Sequence, residues 1–337
     1  MGTGSGGIIF LGETDRINWI YSEDIQNALE RESCVKPILV KGRDEFSKMK
    51  GVLSNAEIIF STWGIPDLSK EEIDSFLPNL KAVFYAAGSV QYFARPFLQN
   101  GVRVFSAWAA NGVPVAEFTL AQILLANKKF FSFRIKSKEA YAKASSEKRL
   151  IAGNYKSKVG ILGAGAIGRK VISYLKMHDL HVLAFDPFVS ESRMAQLGAQ
   201  KASLEEIFST CLAVSNHMAN NPQTVGILNY DLFSRMIPQA SFINTGRGAQ
   251  VSEPDLVRIL KERPDLTALL DVSWPEPPEA GNPLYSLDNC VITPHIAGSV
   301  GREPERMALY MLEEYKRYKN RESCLYELTP DMLETMA

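Results

Sequence analysis

Cysteine and histidine are scarce, with four of each in 337 residues. Cys34, Cys211, Cys290 and Cys324 lie far apart and form no CxxC pair. That excludes a zinc-ribbon spacing and a disulfide framework, and it points to a reducing, cytoplasmic setting. An excess of charge is also missing. With 37 Lys and Arg against 38 Asp and Glu, the formal net charge is −1, so no general attraction to nucleic acid or to an anionic membrane is expected. No uninterrupted apolar run approaches the roughly 18 residues of a membrane span. The N-terminal MGTGSGG has no apolar signal core and reads as a leader outside the fold. Low-complexity tracts and clean short repeats are absent as well. What remains is an ordinary globular composition, 46% hydrophobic and 22% charged, in a chain long enough for two domains.

What is present is alternation. GIIFLG, AEIIFST, KAVFYAAGS and VRVFSA are short apolar runs of strand length, and EEIDSFLPNL between them carries helical spacing. Strand–helix alternation of this kind predicts α/β architecture, with parallel sheets covered by helices. It starts twice, near residue 8 and again near residue 158. PVAEFTLAQILLANKKF reads as a long helix, apolar on most faces and therefore buried or at a subunit interface. Residues 136–158 carry seven Lys or Arg and read as a solvated helix and connecting arm rather than a basic binding patch. EPERMALYMLEEYKRYKN predicts an amphipathic helix with acidic residues early and basic ones late, matching the helix dipole.

The second start, KVGILGAGAIGRKVISYLKMHDLHVLAFDP, contains GxGxxG at Gly163, Gly165 and Gly168. It lies between a predicted strand and a helix whose apolar face is Ile167, Val171, Ile172 and Leu175, which is the context a dinucleotide fingerprint requires. Gly163 allows the tight turn, Gly165 lets the backbone approach a pyrophosphate at the helix N-terminus, and Gly168 lets helix and strand pack closely. Asp186, at the end of the next strand, suits a ribose diol and repels a 2′-phosphate, which favours NAD over NADP. A Rossmann-like unit without a dinucleotide, or one that binds adenosylmethionine, is the alternative.

Three later stretches put chemistry-bearing residues after strands. Arg247 follows the strand in FINTGRG, Asp271 ends TALLD, Glu276 follows in a Pro-rich loop, and His295 stands in ITPHIAG. A lone histidine in an apolar run is more often a core residue with one satisfied hydrogen bond, held in a semi-buried turn. Its company changes that reading. Ligands of parallel sheets bind outside the carboxyl ends of the strands, so all four side chains are expected to converge.

The glycine turn with Asp186, SNHM…T…GIL, INTGRG, DV…EP and TPHIAG come one after another in the order seen in D-2-hydroxyacid dehydrogenases, and from about residue 8 to 320 the chain resembles that family. The resemblance implies two Rossmann-like, doubly wound parallel-sheet domains with a cleft between them. The cofactor domain, 110–298, would be inserted into a flavodoxin-like substrate domain, 1–109 plus 299–337. It also implies a catalytic trio of Arg247, Glu276 and His295, and a homodimer formed through the cofactor domain. NAD is the implied cofactor. Its contacts would be the backbone of Ala166 and Ile167 at the pyrophosphate, Thr245 and Gly246 at the nicotinamide ribose, and Asp271 at the nicotinamide amide. His217 and Met218 would form a wall, and Ala297 and Gly298 of the last motif would complete the set. Gly88 and Ser89, with Arg247, would bind the acid. Asn111 would sit at the interdomain crossing, with hinges near 107–111 and 296–300.

The implied reaction interconverts a small 2-keto acid and a D-2-hydroxy acid. His295 would move the proton, Glu276 would hold its ring, and Arg247 would grip the carboxylate through its planar fork. An NADH-sensing corepressor-like binding protein of the same fold is the alternative. Some positions depart from the family pattern. Ala219 stands where a proline is usual, which predicts a looser loop. Trp63, Trp108 and Trp274 fall in predicted loops, where they either set a pocket's size or pack the fold.

Overall fold

The structure is a computed structural model that describes residues 7–133 and 135–334. Residues 1–6 of the expected leader lie outside the described residues, whereas Gly7 already opens the first strand. The chain divides into two compact units, with the divisions after Asn111 and after Gly298.

The first unit is built on strands β1 (Gly7–Leu11), β2 (Ile38–Val40), β3 (Ala56–Ser61), β4 (Ala82–Tyr85) and β5 (Arg103–Ser106), all parallel, in the order β2-β1-β3-β4-β5. Residues 82–85 are buried without exception, the pattern of a parallel strand covered on both faces. Phe84 stacks on Phe60 at 5.1 Å and on Phe105 at 4.6 Å. The helix Pro304–Lys319 lays Met307, Ala308, Met311, Leu312 and Tyr315 on this core. Those positions recur at helical spacing. Glu305 in the first turn and Lys316, Arg317 and Lys319 in the last match the macrodipole.

The second unit holds β6 (Lys158–Leu162), β7 (His181–Phe185), β8 (Gln200–Lys201), β9 (Ala213–Asn216), β10 (Ser241–Asn244), β11 (Thr267–Leu270) and β12 (Cys290–Ile292). All are parallel, in the order β12-β11-β10-β9-β6-β7-β8. The strand sequence reverses direction between β6 and β9, and a doubly wound sheet opens its ligand crevice at such a switch point. Cys211 and Cys290 are free thiols, and burial pushes both up to about 12, so neither is a reactive thiolate.

Two expectations need correction. The apolar helix spans Trp108–Ala126, so Trp108 opens a helix rather than lying in a loop. By length and composition that helix is apolar enough to cross a membrane, although half of it is buried inside the protein. Asn111, Glu117, Thr119 and Gln122 break the run into short pieces, which is why no single stretch looks long enough.

Glu314 is a fully buried carboxylate in the last long helix. It accepts Arg317 Nη1 at 2.6 Å and the Leu325 and Tyr326 N–H groups at 2.8 and 3.0 Å. Glu314→Ala strands two backbone donors and is expected to cost about 3 kcal/mol of unfolding free energy. Denaturant titration reads this directly, and an unchanged midpoint would rule out Glu314 as the clamp on that segment.

Candidate active site

Parallel strands deliver their carboxyl ends to one edge of a sheet. In the second unit the glycine turn follows β6, Asp186 follows β7 and His217 follows β9. Thr245, Gly246 and Arg247 follow β10, Asp271 follows β11, and His295 stands three residues beyond β12. The residues singled out in this unit therefore share one edge, on both sides of the switch point.

Each fingerprint glycine meets a different constraint. Gly163 has a φ of +90°, and a Cβ there would lie 2.7 Å from the His217 carbonyl oxygen. Glycine thus lets the turn after β6 lie against the loop after β9. A Cβ on Gly168 would come within 1.9 Å of the Gly163 carbonyl, so the helix Ala166–Leu175 sits hard against the turn. A Cβ on Gly165 would meet nothing within 4 Å. Open space at Gly165, ahead of first-turn amides that have no partner within their own helix, suits a phosphate. Asp186 folds back on this turn. Its Oδ2 accepts the Ala164 N–H at 2.8 Å and its Oδ1 accepts the Phe188 N–H at 2.9 Å. The residues present fit a dinucleotide.

His217 is buried. Its Nε2 lies 2.9 Å from Ser215 Oγ and its Nδ1 3.5 Å from Thr245 Oγ1, which in turn shares a hydrogen bond with Thr119 Oγ1 at 3.2 Å. Burial alone lowers this imidazole to about 3. The ring is therefore neutral near neutral pH.

Asp271 is buried and binds the last turn of the site. Its Oδ1 accepts Thr293 Oγ1 at 2.6 Å and the Ile296 N–H at 2.9 Å, and its Oδ2 accepts the Ala297 N–H at 2.8 Å. Its backbone carbonyl accepts the His295 N–H at 3.1 Å. Between these bonds His295 adopts φ +52°, a left-handed conformation that costs a non-glycine residue about 1 kcal/mol. His295 Nδ1 pairs with Glu276 Oε1 at 2.6 Å. The ring is about half exposed, semi-buried as expected, and the bonds that hold the turn go to its backbone.

Arg247 Nη1 donates to the Gly246 carbonyl at 2.8 Å. Burial pushes its guanidinium down from the ordinary value, and the Glu276 carboxylate partly offsets that. Gly248 explains how the arginine turn comes near this loop: a Cβ there would lie 2.0 Å from the Ser273 carbonyl. The structure thus groups His295, Glu276 and Arg247. It groups His217, Met218, Thr245 and Gly163 around the switch point. Ala297 and Gly298 belong to the turn bound by Asp271.

Gly88 and Ser89 belong to the first unit, in the bend after β4. The Gly88 carbonyl accepts Ser106 Oγ at 3.0 Å. Asn111 Nδ2 would lie 3.2 Å from a Cβ on Gly88, and Asn111 Oδ1 accepts the Ser299 N–H at 3.1 Å. Trp63 packs 5.9 Å from Trp19, Trp108 lies edge-on to Tyr326, and Trp274 is exposed.

Sequence reasoning missed Asn216, Asn244 and Gln250, three buried amides beneath the arginine turn. Polar side chains at the ends of the apolar strands β9 and β10 were the available signal. Ala219 is not the looser point expected from its missing proline, because its carbonyl accepts both Thr224 Oγ1 at 2.7 Å and Gln250 Nε2 at 2.8 Å.

With His217 near 3 in the fold and 6.5 when exposed, the unfolded chain binds more protons between those values, so stability rises with pH across that window. His217→Gln is expected to flatten the slope of unfolding free energy against pH by up to about 1.4 kcal/mol per pH unit. Denaturation series run from mildly acidic to neutral pH test this, and parallel slopes for the two proteins would refute a buried neutral ring.

Residues 120–297 match the family model described as D-isomer specific 2-hydroxyacid dehydrogenase, NAD binding domain. D-3-phosphoglycerate dehydrogenase of Archaeoglobus fulgidus is 30% identical over 64% of this chain and 41% of its own length. The protein of that name from Mycobacterium leprae is 29% identical over 64% and 40%. The chain therefore spans about two-fifths of the length of these curated relatives. Among solved structures, D-mandelate dehydrogenase of Rhodotorula graminis superposes with a TM-score of 0.78 at 19% identity, covering 96% of this chain and 97% of that one. A phosphoglycerate oxidoreductase from Rhizobium etli superposes at 0.76 and 20%, covering 96% and 98%. These two likenesses show the two-domain, parallel-sheet fold. Since the family model spans more than half of the chain, the protein belongs to the D-isomer specific 2-hydroxyacid dehydrogenases, with residues 120–297 as their NAD binding domain.

Proposed function

We propose that the chain is an NAD-dependent oxidoreductase that interconverts a small 2-keto acid and a D-2-hydroxy acid. The observation that carries this reading is the 2.6 Å pair between His295 Nδ1 and Glu276 Oε1, at the carboxyl edge of a sheet whose switch point bears the glycine turn. A dinucleotide held at the glycine turn would supply the hydride chemistry at the carbonyl carbon. The protein supplies the proton and the placement. His295 Nδ1–H donates to Glu276, which fixes the ring and leaves Nε2 free to protonate the carbonyl oxygen. Glu276 also stabilises the imidazolium that forms in the reverse direction. Arg247, anchored at Gly246, binds the substrate carboxylate and polarises its carbonyl. Gly88 and Ser89, in the bend after β4 of the first unit, offer backbone amides suited to an acid.

In the cofactor site, Ala166 and Ile167 present amides to the pyrophosphate and Asp186 accepts the adenosine ribose hydroxyls. Thr245, Gly246, His217 and Met218 line the nicotinamide end, and Asp271, Ala297 and Gly298 close it. We also propose a homodimer through this domain. Leu125, Phe130, Tyr141, Leu150 and Tyr155, on and after the long apolar helix, are exposed large hydrophobics grouped in one stretch of sequence. Four free cysteines suit a cytoplasmic location.

A panel of glyoxylate, pyruvate, hydroxypyruvate and bulkier keto acids, assayed for NADH consumption, tests the reaction. At least one is expected to be reduced, and His295→Gln is expected to lower its turnover about 10²–10⁴-fold while NADH still binds. Unchanged turnover would remove His295 from the chemistry. A second comparison concerns the cofactor. With the Asp186 carboxylate beside the ribose, NADPH is expected to be used at least roughly tenfold less efficiently than NADH. Equal kcat/KM for both cofactors would defeat that assignment.

A further inference from the structure

Gln250 is fully buried, and all four hydrogen-bonding positions of its side-chain amide are used. Its Oε1 accepts Asn216 Nδ2 at 2.7 Å and the Arg247 N–H at 3.3 Å, while its Nε2 donates to the Met218 and Ala219 carbonyls at 3.0 and 2.8 Å. The orientation is dictated by chemistry. A flipped amide would set its NH₂ against two donors and its oxygen against two carbonyls. Asn216 Nδ2 also donates to Asn244 Oδ1 at 3.0 Å, and Asn216 Oδ1 accepts the Met218 N–H at 3.2 Å. Asn244 in turn accepts the Gly246 N–H at 3.1 Å and donates to the Arg247 carbonyl at 3.2 Å.

Two loops that come after different strands are therefore held by one set of side-chain amides. Arg247 is gripped on both sides of its Cα, at the N–H by Gln250 and at the carbonyl by Asn244. The loop 217–219, which lacks the proline expected at position 219, is held by the other end of Gln250. We propose that Gln250 is a positioning residue that sets Arg247 for the substrate carboxylate and locks it to the 217–219 loop. This rests on Arg247 being the group that binds the acid. Gln250 touches no reacting atom itself. Its effect passes through the arginine turn, so the signature is poorer capture of the acid with the proton-transfer step preserved.

The test combines amide hydrogen exchange with steady-state kinetics on the full chain. In the wild-type protein the Gly246 and Arg247 amides, bound to side-chain oxygens in a segment between regular elements, are expected to exchange slowly. Gln250→Leu is expected to speed exchange at both 246–248 and 217–219. It is also expected to raise KM for the keto acid about tenfold or more, with kcat reduced less and the acidic and basic limbs of the pH profile unmoved. Gln250→Glu keeps an acceptor for Arg247 and Asn216 but places an oxygen against two carbonyls. It is expected to loosen 217–219 and to leave the arginine turn protected.

Fast exchange of the Gly246 and Arg247 amides in the wild-type protein would overturn the proposal, and that measurement requires no variant to fold. Gln250→Leu kinetics equal to wild type would also overturn it, as would a kcat that falls in proportion to the folded fraction with KM unchanged. If the wild-type chain reduces no keto acid, the dehydrogenase reading fails instead, and the exchange data still decide whether the brace exists.

Discussion

The site depends first on the buried carboxylate of Asp271. A turn that carries a histidine in left-handed conformation is not stable by itself, since a Cβ in that region of backbone space clashes with the chain. Asp271 offsets the strain by accepting three hydrogen bonds at its carboxylate and one at its carbonyl, all from residues 293–297. Charge-assisted bonds of this kind are individually stronger than neutral ones, and together they exceed the conformational penalty at one residue. The result is an imidazole whose backbone is fixed while its ring, paired with Glu276, is about half exposed. Rigid attachment with an accessible ring is what the proposed general acid requires. Neither a well-packed core histidine nor a mobile loop histidine provides both.

Parallel pairing supplies the second constraint. Because each strand of the second unit runs the same way, the loops at the strands' carboxyl ends all fall at the same edge, and residues as far apart in sequence as Gly163 and His217 become neighbours. The glycines then decide how closely those neighbours approach. Gly163 admits the loop after β9, Gly168 admits the helix against its own turn, and Gly248 admits the arginine turn against Ser273. Each approach is closer than any Cβ tolerates, so the geometry at these three points is set by hard-sphere contact.

Much of this was legible in the sequence because the signals are local. The fingerprint glycines, the strand before them and Asp186 after the next strand occupy a single continuous stretch, and each has a mechanical reason to be where it is. The order Arg247, Glu276, His295 was legible for the same reason, since each comes after a strand-like run. The buried amides were not. Asn216, Asn244 and Gln250 bond across 28 and 34 residues of sequence, and a polar residue at the end of a strand looks the same whether it faces water or a buried amide. The His295 ring is about half exposed, as a semi-buried turn implies, but Asp271 as the anchor of that turn's backbone was not legible. The long helix was found but started late, because Trp108 and Asn111 do not look like helix-opening residues.

The two histidines of the site show how environment divides one residue type between two tasks. His217 is buried with the Ser215 and Thr245 hydroxyls beside its two ring nitrogens. Burial lowers its imidazole and keeps the ring neutral. His295 has other surroundings: its Nδ1 meets the Glu276 carboxylate at 2.6 Å and its ring is about half exposed. The difference between the two rings therefore comes from where each strand ends and what the next loop brings to the ring.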